Sequence, residues 1–409
     1  LFVQEMAKSS NEEQAKKIAE KVFYRALANY LTRSSVFIDL RAAVEQSCKD
    51  LHGANSDVLS AAKKAFDQVG IAGSTDPGGN KYQNDLPVNP GQQFVVCTDN
   101  QNLGVYVIIL QSGQIVQLSP RAIKSKPSVT DDGTEIYYVG SDSKLYAQFF
   151  DQNQGDYEEV LLDGDPIYRN VAVSKDGNLL AVLYAQAENK IHIFSFPLQP
   201  WRTYELKNPT TGQGVLNSNV RFADFLDFEH AGECLMYDCL SKIDRTSGGS
   251  YEFWDIGFLR VWNRKASNFG DGYIDKLFSD LPENTSIGNP VFSKNSPYII
   301  AFDYLEESLS GTQFAVLGAN IETGEIGEIA ANRTITGYPN YSIDDKFVMY
   351  DGFDNTGELS IKFKELNSNK IQSSGNEQLF VSEARWGAFF ANGTRKLVET
   401  DDQLAFSGI

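Results

Sequence analysis

The sequence predicts a mainly β protein: a six-bladed β-propeller, with seven blades as the alternative count, preceded by a small all-α segment of three helices. The first observation behind this is a recurring phrase. Arg169-Asn-Val-Ala-Val-Ser-Lys-Asp-Gly-Asn-Leu-Leu-Ala-Val-Leu-Tyr, followed by Lys190-Ile-His-Ile-Phe-Ser-Phe, gives an apolar run, a tight turn, a second apolar run, a polar gap and a third alternating run. That is the pattern of short antiparallel strands in a meander. The phrase returns at Pro127-Ser-Val-Thr-Asp-Asp-Gly, Asn289-Pro-Val-Phe-Ser-Lys-Asn and Tyr338-Pro-Asn-Tyr-Ser-Ile-Asp-Asp, and more weakly at Trp386-Gly-Ala-Phe-Phe-Ala-Asn-Gly.

The second observation is the period. The turn residues Asp132, Asp176, Asn295, Asp344 and Asn392 stand 44, 119, 49 and 48 positions apart, and the long gap fits two units, the second enlarged and starting at Val220. Self-similarity at about 40 to 50 residues marks propeller blades, whose sheets bury their faces only against neighbouring blades. The third is the mismatch of the ends. Phe94-Val-Val-Cys-Thr-Asp, Val105-Tyr-Val-Ile-Ile-Leu and Gln114-Ile-Val-Gln-Leu read as a blade lacking its first strand, and Trp386 to Phe390 begins a unit that is never finished. One blade completed from both ends closes the ring and removes open edges. With the units near 127, 169, 220, 289 and 338, the count is six.

Residues 1–71 are helical. Ser10 with Glu13 reads as a capping box opening a helix over 11–32, whose apolar face is Ala15, Ile18, Ala19, Val22, Phe23, Ala26, Leu27, Tyr30 and Leu31. A second helix is expected over 36–51, with Leu40, Val44, Cys48 and Leu51 on one face and Gly53 beyond its end. Ser56 caps a third, which runs through Phe66 and Val69 and stops at Gly70. Leu1-Phe-Val-Gln-Glu-Met starts inside an apolar pattern with no initiating Met, so the natural N-terminus is expected to lie upstream.

These helices carry a resemblance. Lys21-Val-Phe-Tyr-Arg-Ala-Leu-Ala-Asn-Tyr-Leu-Thr, Leu40-Arg-Ala-Ala-Val-Glu-Gln-Ser-Cys-Lys-Asp-Leu-His-Gly and Ala65-Phe-Asp-Gln-Val-Gly-Ile resemble the last three helices of the thermolysin family of secreted zinc endopeptidases. The resemblance implies a parent enzyme whose zinc is held by a His-Glu-x-x-His helix and a later Glu, all upstream of these helices. This chain has His52, His192 and His230, no two of them four apart, so it lacks the paired ligands. No residue is assigned a catalytic, cofactor-binding or metal-binding role, and zinc belongs to the parent enzyme only.

Residues 72–92, rich in Gly, Pro, Asn and Asp, read as a linker, and 93–409 as the propeller. Within the propeller there is no Gly-x-Ser-x-Gly elbow and no Gly-rich phosphate loop. Two loops, at Asp151-Gln-Asn-Gln-Gly-Asp and Asp351-Gly-Phe-Asp-Asn-Thr-Gly-Glu, have oxygen ligands that calcium could use, but hairpin turns call for the same residues. The aromatic stretch Tyr251 to Trp262 suits core packing better than an exposed binding patch. Asn-x-Thr triplets at Asn284, Asn332 and Asn392 match glycosylation or turns equally. Four cysteines, Cys48, Cys97, Cys234 and Cys239, are too few for a disulfide framework and read as free, buried thiols.

A net charge of -18 argues against nucleic acid as a partner, and no apolar run reaches the length of a membrane span. The expected place is outside a bacterial cell or in its periplasm or envelope. Two functions follow. The chain is the C-terminal portion of a secreted thermolysin-like zinc metalloendopeptidase, lacking the catalytic half, whose propeller face binds a protein or peptide. Alternatively it is a non-catalytic binding module resembling TolB-type envelope propellers. In either case an upstream catalytic domain or a second copy is expected to cover the apolar side of the helices.

Overall fold

A computed structural model of the chain describes residues 1–8, 11–31, 37–53, 56–69, 71, 85–208, 215–278, 281–308 and 311–395. The chain divides into two compact units, 1–84 with 400–409 and 85–399.

The helical unit contains α1 (Phe2–Ala7), α2 (Glu12–Asn29), α3 (Phe37–His52) and α4 (Asp57–Gln68). The start of α2 departs from expectation by one residue. Asn11 is the cap, its side chain accepting the N–H of Gln14, whereas Ser10 lies outside the described residues. Ser56 caps α4 as expected by accepting from Leu59, and Gly70 is outside the described residues. The helix α1 was not anticipated as a separate element; it is only six residues long and has no side-chain cap. Phe2 and Met6, one turn apart, hold it by burying among Ala15, Val22, Val44, Cys48 and Ala62. Arg41, itself buried, bonds Glu45 at 2.8 Å and Asp67, tying α3 to α4.

The propeller has six four-stranded blades, which decides between six and seven. Blade one is the composite: Ala384–Ala391 lies innermost, followed by Gln93–Asp99, Val105–Ile109 and Gln114–Ser119. Phe94 pairs with Phe390 and Val95 with Phe389, and the rings of Phe94 and Phe390 stack at 5.1 Å. The other blades span 128–163, 168–205, 215–276, 285–333 and 340–381. Their strands run consecutively outward in blades two, three, five and six. Blade four inserts the hairpin Trp262–Asn263 with Asn268–Phe269 before its last strand.

Apolar clusters sit between adjacent blades. Tyr137 and Val139 of blade two pack with Val171 and Val182 of blade three, and Ala181 and Ile193 of blade three with Leu226 and Tyr237 of blade four. Because neighbours cover both faces, a strand such as Leu179–Tyr184 is buried at five successive positions instead of alternating. The stretch from Tyr251 joins this packing: Phe253, Ile256 and Phe258 are buried. Blade four's first strand begins at Val215, five residues before the expected Val220. Three register irregularities along it break the apolar alternation that marks a strand in sequence.

The repeated turn has a side-chain lock. In blade three, Ser174 Oγ donates to Asp176 at 2.6 Å and accepts the N–H of Leu179, while Gly177 takes a positive φ of 74°. Thr130 with Asp132 and Ser342 with Asp344 repeat the contact in blades two and six.

The expected linker, 72–92, is described from Asp85 onward. There Lys370 and Ser296 hold Asp85, and Asn89 donates to the carbonyls of Asp131 and Gly393 at 2.6 Å. Gly91 passes so close to Gly393 that a Cβ on it would stand 2.2 Å from that residue's nitrogen, so no other residue fits. Residues 396–409 lie outside the described part.

Candidate functional site on the propeller axis

The histidines do not converge. His52 is exposed at the end of α3. His192 lies in the strand Lys190–Ser195, where Nδ1 meets Thr203 at 2.9 Å, Nε2 meets Glu188 at 2.8 Å and the ring stacks on Tyr184. His230 sits in the turn after the inner strand of blade four, its Nε2–H donating to the Lys294 carbonyl at 2.8 Å. Among the described residues no group of three His, Cys, Asp or Glu could hold a metal, so the residues present do not fit the zinc of the resembling family. The two loops considered for calcium form turns. Asp151 accepts the N–H of Asn153, and Asp354 accepts those of Thr356 and Glu358. Of the Asn-x-Thr sites, Asn284 donates to the Glu307 carbonyl and Asn392 accepts from Gln92. All four cysteines are free and buried.

In the helical unit, α2 buries Ala15, Ala19, Val22 and Ala26 but leaves its flank open. Tyr24 is 75% exposed, Leu27 67% and, at the start of α3, Phe37 73%.

On the propeller axis, charged groups gather where sequence had shown only turns. Near one end three buried acids sit on second strands. Asp238 accepts the backbone N–H of Phe225 and Asn289, Asp303 those of Gly337 and Tyr338, and Asp351 that of Trp386. In each case the carboxylate grips the next blade's inner strand or the residues leading into it, so it serves as a clamp between blades. Burial pushes Asp238 and Asp351 up to about 7, against the stabilising effect of these bonds.

Three lysines line the axis itself. Lys126 enters from blade two and donates to the carbonyls of Tyr338 at 2.7 Å and Pro339 at 3.0 Å, across the ring in blade six. Lys175 of blade three pairs with Asp227 of blade four at 2.8 Å, and the other oxygen of Asp227 accepts the N–H of Phe292. Lys294 of blade five uses its backbone, donating its N–H to Asp345 and offering its carbonyl to His230. All three line one cavity of about 40 Å³, together with Asp227. Sequence reasoning missed them, although Lys175 and Lys294 occupy the same place in the repeated phrase, Ser-Lys-Asp and Ser-Lys-Asn, which would have put both on the axis.

Toward the other end, segments from both sides of the unit meet. Arg395 pairs with Asp131 at 2.6 Å and donates to the Pro87 carbonyl and to Asn295.

The thermolysin metallopeptidase alpha-helical domain matches residues 2–71. Thermolysin of Alicyclobacillus acidocaldarius subsp. acidocaldarius and bacillolysin of Bacillus caldolyticus are each 49% identical to this chain over 51 residues. Those residues are 12% of this chain and 9% of each relative, so the chain spans less than a tenth of the length of the curated relatives it matches. Among solved structures, TolB from Acinetobacter baumannii is similar with a TM-score of 0.49 and 15% identity, covering 82% of this chain and 73% of that one. Over residues 2–71 the chain is thus similar to the alpha-helical domain of the thermolysin metallopeptidases, and in the same chain it carries a six-bladed β-propeller.

Proposed function

We propose that the chain is the C-terminal portion of a thermolysin-like zinc metalloendopeptidase that works outside a bacterial cell or in its envelope. In this reading, residues outside the 409 supply the zinc-binding half, and the propeller face holds a protein substrate or partner. One observation carries it: helices that match a thermolysin domain leave Tyr24, Leu27 and Phe37 open to water, as a domain does when part of its partner surface lies elsewhere. Burying a few hundred Å² there contributes several kcal/mol at about 25 cal/mol per Å². The acidic balance, -18, disfavours nucleic acid and suits a basic protein segment.

The test is to read the parent gene upstream of Leu1 and express the extended chain. The reading expects a His-Glu-x-x-His helix there and casein cleavage that a chelator abolishes and zinc restores, while residues 1–409 alone cleave nothing. Leu27→Glu in the extended chain should lower that cleavage. A gene that starts near Leu1 overturns the proposal. It would favour the second reading, a non-catalytic binding module, which rests on the six-bladed propeller that makes up most of the chain.

A further inference from the structure

Charge is unbalanced in the lining of the larger axial cavity. The titratable groups lining the larger axial cavity are Lys126, Lys175, Lys294 and Asp227, three cations to one anion. A smaller cavity of about 20 Å³ shares Lys175 and Lys294 and adds His230 and Asp131. Asp131 is engaged by Arg395, and His230, which burial lowers to about 3, is neutral at pH 7, so neither offsets the lysines. Asp227 gives one oxygen to Lys175 and the other to a backbone N–H, and among the described residues it makes no bond to Lys294. The Lys294 ammonium has no hydrogen-bond or ion-pair partner among the described residues, and the Asn340 amide, which lines the same cavity, uses only its oxygen. Lys126 is buried and meets carbonyl oxygens, which orient an ammonium without neutralising it. Lys126 is buried and Lys175 and Lys294 are part-buried, and cations clustered so around a single carboxylate favour an opposite charge beside them.

We propose that the axial cavity of the propeller binds one small anion, of halide or formate size, between Lys126, Lys175 and Lys294. About 40 Å³ has room for two or three waters, which admits such an ion and excludes a nucleotide or a sugar phosphate. The anion touches inner strands or turns of blades two, three and five, and so braces the ring from within. Electrostatics agree with the geometry. Burial holds Lys294 down to about 7 and Lys126 to about 8, Lys175 adding to the effect on Lys294, while Asp227, Asp131, Asp303 and Asp351 pull the other way. An anion between them restores the charged forms.

The experiment takes the full chain at neutral pH and follows Tm against sodium formate and sodium bromide, with ionic strength kept constant by sodium gluconate, whose anion is too large. Binding to the folded state alone raises Tm with the logarithm of concentration above Kd. The proposal expects that rise for both small anions, at least a tenfold weaker apparent affinity in Lys294→Met, and an anomalous bromide peak between the three lysines in bromide-soaked crystals. A flat Tm in the wild-type chain overturns it, as does an unchanged response in Lys294→Met or bromide found only on the outer surface. Should Lys294→Met fail to fold, the wild-type titration and the bromide map decide alone. Neither measurement depends on peptidase activity, so the result is independent of the function proposed above.

Discussion

Asp351, in the second strand of blade six, accepts the backbone N–H of Trp386, in the inner strand of blade one, at 2.8 Å. Arg385 stands 3.5 Å from the other carboxylate oxygen and lies over the Trp386 ring. The contact joins the last complete blade to the strand that closes the ring, so the C-terminal strand is held both by its sheet and by its neighbour.

Asp351→Ala should therefore lower stability by about 2–4 kcal/mol, since it removes the acceptor of a buried N–H and leaves Arg385 without its carboxylate. Asp351→Asn keeps an acceptor and should cost less. The pH dependence distinguishes them from a packing defect. The folded pKa of about 7 lies above the ordinary 3.8, so folding takes up a proton between these values and wild type gains stability as pH falls from 7 toward 4. Both variants should lose that contribution, which urea titrations at several pH values would measure.

Arg395→Ala tests the strap at the other end. Its guanidinium is almost fully buried and joins Asp131, the Pro87 carbonyl and Asn295, so the loss should be about 2 kcal/mol, that of hydrogen bonds to a charged group. Truncation before Ala384 should cost considerably more, because it exposes the whole edge of Gln93–Asp99. Equal thermal stability of truncated and full chains would show that the composite blade does not close the ring.

His230 gives the opposite pH slope to Asp351. Burial, with Arg395 and Lys175 nearby, lowers it from 6.5 to about 3, so unfolding takes up a proton between those values. Stability should fall as pH drops below 6.5, by up to about 1.4 kcal/mol per pH unit for this one group. His230→Gln, which retains a donor for the Lys294 carbonyl, should remove the slope. A wild-type slope in the variant would place its origin elsewhere.

The thiols should be inert in the native state. Burial pushes Cys48 and Cys97 up to about 12 and raises Cys234 and Cys239 as well, so little reactive thiolate exists at neutral pH. Ellman's reagent should report four thiols in guanidinium and essentially none without it. Prompt native labelling of any one would contradict its burial.

What the sequence determined by itself was periodic. Turns related to Ser174-Lys-Asp-Gly recur because each blade needs the same tight reversal, and the repeat therefore reported both blade number and the blade that Phe94 and Phe390 share. The helices were legible for the same reason: Ala15, Ala19, Val22 and Ala26 follow one face. Local signals failed where length or irregularity weakened them, as for the six-residue α1, the cap that proved to be Asn11, and the bulged strand from Val215. The axial site is a matter of tertiary structure. Lys126, Lys175 and Lys294 are separated by 49 and 119 positions and look like ordinary solvated lysines until ring closure turns their strands toward one axis. The exposure of Leu27 was decided there too. Helical period put it on the apolar stripe beside Val22 and Ala26, but how wide a stripe is buried depends on how many helices pack against it, and α1 and α3 cover only the alanine side.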